Sequence, residues 1–277
     1  MRRWAVAWIG LALVNLNCSG NILETFANKD TNEAHYYNAV GDVNAGNYTG
    51  ALNEISLMTG SYPQTAPVLQ LQASAYAGMG GLQFINFVTS FSIMGTTRLL
   101  PFLLKAFDAG VASNIDNSMQ AQTIMQSIGA IASRTADENF FSAVVAFETA
   151  GNVLSYYADP THTGSPTSGW DPCASAGSRS PGGAMTDADV GIIGASLSIA
   201  LADLNAVAGQ VSLGGTSLTT IGNVCSGLPA GYNFCAVTDP TAFTATELKG
   251  IRSLIKESSA VGLGDNCTGD VTTCNCP

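Results

Sequence analysis

Ala45-Gly46-Asn47-Tyr48-Thr49-Gly50-Ala51-Leu52 and, further on, Ala73-Ser74-Ala75-Tyr76-Ala77-Gly78-Met79-Gly80-Gly81 carry one pattern twice. Ala39 to Ala73 and Gly46 to Gly80 are each a step of 34 residues. Small residues at Ala39 and Ala51 let two antiparallel helices approach closely. Glycine at position 46 accepts the positive φ of a tight turn. Pro63 is expected to end the second helix, because it lacks an N–H and clashes with the preceding turn. Each such unit leaves one face uncovered, so units must stack. Tyr76 takes the aromatic place in the second unit's first helix, whereas Ile85 stands where the pattern asks for a small residue.

This register resembles the tetratricopeptide (TPR) repeat over Glu33 to Val88, with its first one and a half units well matched. A generic Ala-rich helical hairpin would satisfy the same positions. The resemblance implies an all-α fold of antiparallel helical hairpins in a TPR-like right-handed stack. It also implies a protein or peptide partner held on the first helices, where Tyr36, Asn38, Asp42, Gln72 and Tyr76 stand.

The rest of the chain extends the helical reading. Gly78 to Thr97 has no charged residue and reads as a buried or groove-lining helix. Further helices are predicted over 98–112 and 117–134 from apolar spacing. Thr135 with Glu138 has the form of a capping box opening a helix to about Tyr157. Thr186-Asp187-Ala188-Asp189 caps a helix over 190–209, and Thr244 opens a last amphipathic one through Ile255. No segment alternates cleanly enough to be a strand. The stripe Phe84, Phe87, Phe91, Met94, Phe102 and Phe107 reads first as core and second as an apolar ligand cavity. Carboxylates such as Asp137, Glu138 and Glu148 read as caps and surface groups.

The N-terminus looks like an export signal. Met1-Arg2-Arg3 is basic, and Trp4 to Leu16 is uncharged but too short to span a bilayer, which takes about 20 apolar residues. Val14-Asn15-Leu16-Asn17-Cys18 resembles a bacterial lipobox, with asparagine before the cysteine where glycine or alanine is usual. The expected organisation is a signal peptide (1–17), a lipidated tether (18–32) anchored through Cys18, a TPR-like helical region (33–158), a Gly/Pro/Ser-rich loop (159–185) and a helical region with a stapled tail (186–277). This places the chain in the bacterial cell envelope, on the outer membrane. A soluble exported chain is the alternative.

The remaining cysteines are Cys173, Cys225, Cys235, Cys267, Cys274 and Cys276, an even set that can close as three disulfides. Cys225–Cys235 is the expected local pair. Cys173 then joins a tail cysteine and the other two close on each other, because Cys274 and Cys276 are too near to pair. The tail has few apolar residues, so crosslinks rather than packing are expected to fix it. Zinc would need a second cysteine knuckle, which is missing.

Chemistry is sparse. His35 and His162 are the two histidines, with no Gly-x-Ser-x-Gly elbow, His-Glu-x-x-His or phosphate-binding loop near either. Neither an enzyme, a cofactor nor a metal is expected. A formal charge of −10 disfavours nucleic acid, which needs a basic footprint. The leading expectation is a lipid-anchored protein-binding or scaffolding module. The alternative is a periplasmic protein that binds an apolar small molecule, similar in outline to the TPR lipoproteins that accompany TRAP-type transporters.

Overall fold

The computed structural model describes residues 30–92, 98–107, 110–208, 228, 231–259, 261–264 and 267–277. Cys18, Met94, Cys225, the signal segment and most of the tether lie outside them. Nine α-helices occur among the described residues: α1 (Asn32–Asn44), α2 (Tyr48–Leu57), α3 (Ala66–Met79), α4 (Phe84–Ser92), α5 (Leu99–Ala106), α6 (Ala112–Ser127), α7 (Ala136–Ala158), α8 (Asp187–Ala206) and α9 (Ala245–Lys256). The described residues contain no strand; Ser175 and Met185 pair in an isolated bridge. The fold is all-α.

α1 and α2 form a hairpin around Ala39 and Ala51, both fully buried with Ile55, Met58, Val68, Leu71 and Ala75. Gly46 turns the chain at φ 74°. Thr31 starts α1 by accepting from the Ala34 N–H, so the helix begins inside the expected tether. Asn47 starts α2 by accepting from Gly50. Pro63 does not end α2, which stops at Leu57; it opens a short 3₁₀ turn, Tyr62–Gln64. α3 spans 14 residues where α1 spans 13. The left-handed glycine of the second turn is therefore Gly81 rather than Gly80, one residue later than the 34-residue step.

The second unit departs further. α3 packs broadly on α6 as well as on α2, while α4 and α5 turn aside. α5 lies on α7. The order of packing then runs α6 on α7, α7 on α8 and α8 on α9. α7 is the centre: every residue from Phe141 to Ala158 is buried. Its capping box is formed, with Thr135 and Glu138 exchanging hydrogen bonds, and Thr244 and Glu247 repeat it on α9. Thr186 caps α8 as expected. α6 begins at Ala112, earlier than apolar spacing suggested, and stops at Ser127. Small residues on α7 admit large neighbours: a Cβ on Gly151 would come within 2.5 Å of the Phe107 ring. No described helix is long and apolar enough to cross a membrane.

The segment 159–185 is ordered by internal bonds. The Asp159 carboxylate accepts from the Thr163 and Gly164 backbone, and the buried Trp170 indole donates to the Gly183 carbonyl. Arg252, buried on α9, donates to the carbonyls of Pro172 (2.9 Å), Ala174 (2.7 Å) and Met185 (3.0 Å) and to the Asp187 carboxylate (2.8 Å). Cys173 is bonded to Cys276, and Cys267 to Cys274. Both agree with the expected scheme. Cys235 is disulfide-bonded as well. The tail is not held by crosslinks alone, since Val261, Leu263 and Val271 join the main core. These three branched side chains suffice because the helices present apolar surface to them.

Candidate functional site

An open groove of about 750 Å³ lies between the hairpin and the main body. The end of α1 supplies Val43 and Asn44, and the start of α2 supplies Tyr48. Gln70, Ser74 and Gly78 form its α3 wall, four residues apart and so on one helical face. Gly78 is needed there, because a Cβ would meet the Tyr48 ring at 2.2 Å. The far wall is the turn into α4 (Leu82 to Asn86) with Asp137, Phe140 and Phe141 from the first turns of α7. Phe84 packs between Phe140 and Phe141, with ring centroids at 6.3 and 5.7 Å.

The groove is apolar with a polar rim. Ile85 is 73% exposed at its edge, a large value for an isoleucine. Ser74 donates to the Gln70 carbonyl, and Asn86 donates to Gln83 Oε1 at 2.6 Å. Asp137 is the charged residue in the lining. Between Asp30 and Thr97 there are four carboxylates and no lysine or arginine.

Behind the floor, Glu148 is fully buried beneath Gly80, whose Cβ would sit 2.3 Å from its Oε1. Its oxygens have no well-formed hydrogen bond among the described residues. Burial pushes this carboxyl well above its usual range. The surface reading of Glu148 is therefore corrected. Its place in Val144-Val145-Ala146-Phe147-Glu148-Thr149-Ala150-Gly151, an otherwise uncharged run, was the available signal. Beside it, Asn152 and Asn117 donate to the Gly80 and Met79 carbonyls and so cap the end of α3.

The residues expected to meet a partner do not gather in the groove. Tyr36 packs partly against the hairpin core, and Tyr76 against the main core. Asn38 donates to Glu54, and Asp42 accepts from Asn47 at 2.8 Å. Gln72 and Tyr76 project about 200° around α3 from Gln70 and Ser74, on its other side. Among the described residues of the aromatic stripe, only Phe84 lines the groove. Phe87, Phe91, Phe102 and Phe107 are buried against one another, with Phe87 to Phe107 centroids 5.3 Å apart. They fill their space instead of enclosing a cavity. A second apolar cavity near Leu197 and Phe234 is about 10 Å³, too small for a ligand.

His35 is held between Glu54 (2.7 Å) and Asp30 (3.2 Å), which raise its pKa mainly through these hydrogen bonds. His162 is exposed in a turn at φ 54°. Among the described residues, no group of three His, Cys, Asp or Glu is placed to hold a metal ion. Neither a family model, nor a curated protein, nor a solved structure matches this chain.

Proposed function

We propose that this protein is a lipid-anchored, TPR-like helical module of the bacterial cell envelope that docks a protein or peptide partner. Cys18 is its anchor in this reading, and the outer membrane its place. The observation that carries the docking role is the groove beside the hairpin. It is open, apolar, polar-rimmed and bordered by the exposed Ile85. An amphipathic segment laid in an apolar groove is a recurring mode of peptide recognition.

The groove's volume also lies within the range of small-molecule sites, about 300–1,000 Å³. That favours, as a second reading, an apolar-ligand binding protein working with a transporter. Two measurements separate these. A benzophenone amino acid replacing Ile85 is expected to give discrete, protein-sized photoadducts in native membranes. Intact mass is expected to match a chain starting at Cys18 with acyl groups and three disulfides. Small extra mass present under native conditions and lost on denaturation, with no protein adduct, would favour the carrier. An unacylated soluble species would remove the anchor.

A further inference from the structure

We infer that the groove selects a cationic amphipathic segment, one with an apolar face and lysine or arginine along its flank. The inference rests on the docking role proposed above and names the chemistry of the partner.

It starts from where the cations are. Every lysine and arginine among the described residues lies at or beyond Arg98. Four of them are tied inward: Arg98 to the Glu257 and Leu263 carbonyls, Arg134 to Asp203, Arg179 to Asp189 and Asp116, and Arg252 to the 172–187 backbone and Asp187. Lys105 lies along Gly164, and the groove lining includes neither Lys249 nor Lys256. The groove lining thus contains no basic residue, and the hairpin's own basic group, His35, is held by Glu54 and Asp30, while the carboxylate of Asp137 lines the groove.

The consequence is asymmetric. An anionic segment would find no cationic side chain in the lining and would bring like charge beside Asp137, which is exposed at the groove. A neutral segment would gain only apolar burial. A segment with a basic flank gains the same burial and complements the rim. The polar rim is amide-rich (Asn44, Gln70, Gln83, Asn86), and amides both donate and accept, so the sign of the preference comes from Asp137.

Three fluorescein-labelled model helices test this on the full chain by fluorescence anisotropy. All present leucine at helical spacing, and their other face carries lysine, glutamine or glutamate. The lysine helix is expected to bind most tightly and the glutamate helix least. Asp137→Lys is expected to weaken the lysine helix by roughly fivefold or more while strengthening the glutamate helix. Ile85→Ser is expected to weaken every helix that binds; with a side chain this exposed, the change leaves folding intact. Equal binding of the lysine and glutamine helices, both weakened by Ile85→Ser, would overturn the charge preference and leave the docking groove standing. Lysine-helix binding indifferent to both substitutions would mean attraction to the acidic surface at large and would also overturn it. No binding by any helix would overturn the docking groove along with the preference.

Discussion

The α1–α2 hairpin at residues 31–57 and the region from 159 onward are built from the same element, yet they are held in opposite ways. The hairpin has no arginine, no lysine and no cysteine. Its helices meet through fully buried alanines, and its turns are closed by side-chain caps and one left-handed glycine. The later region carries two described disulfides, and a buried arginine gathers three carbonyls into one place. Short-range helix contacts suffice for the hairpin because its partners are neighbours in sequence. A 27-residue irregular segment far from α9 in sequence has no such advantage, and long-range bonds replace it.

The contrast breaks if damage to one region spreads to the other. The largest effect is expected from replacing Cys173 and Cys276 together by serine. Their separation of 103 residues closes a long loop, and in the chain-entropy picture its loss costs about 4–5 kcal/mol. Hydrogen exchange should quicken across 159–187 and α9 while the hairpin amides stay protected. Equal quickening in both would show that the hairpin depends on the staple.

A smaller effect is expected from Ala51→Leu, which overfills the closest approach of α1 and α2. Urea unfolding should show a loss of about 1–3 kcal/mol, confined to the hairpin. Gly46→Ala should cost less, about 1–2 kcal/mol, entirely through its backbone, since no atom lies within 4 Å of the added Cβ. A larger loss would mean that the turn is packed more tightly than this geometry allows.

The smallest effect sharpens the comparison through pH. His35 has its pKa raised above 6.5 by Glu54 and Asp30. Its contribution is then fully present below pH 6.5 and fades as pH rises through the higher folded value. Hairpin stability should decline modestly over that window, and His35→Gln should flatten the decline. A decline that persists in the variant would assign it to another group.

Much of this was legible in the chain. The spacing of Ala39, Ala51 and Ala73 marked the close contacts, since small residues at a fixed step have few other uses. Thr135, Thr186 and Thr244 marked helix starts through local hydrogen bonds that need no tertiary information. What could not be read depended on distant packing. That α6 rather than α4 lies against α3 follows from Phe87 and Phe91 being drawn into the aromatic core, a choice invisible in local periodicity. The extra residue in α3 moved the turn glycine by one, beyond what a repeat register resolves. Val261, Leu263 and Val271 looked too few to pack, because sequence shows what a segment brings and not what it meets. The groove is formed by four separate stretches and had no linear signature.

The Cys173–Cys276 bond has a consequence for the order of assembly. Its two sulfurs cannot meet until the whole of the intervening chain has been made, and Cys276 also seats its N–H on Ser253. The hairpin closes on itself and on the next helix, α3, all within its own end of the chain. A chain folding from its N-terminus as it is made would thus form the groove's hairpin wall early and seal its far half last. During that interval the protein would be half-built from one end, with the unsealed part open to proteases and to mispaired thiols.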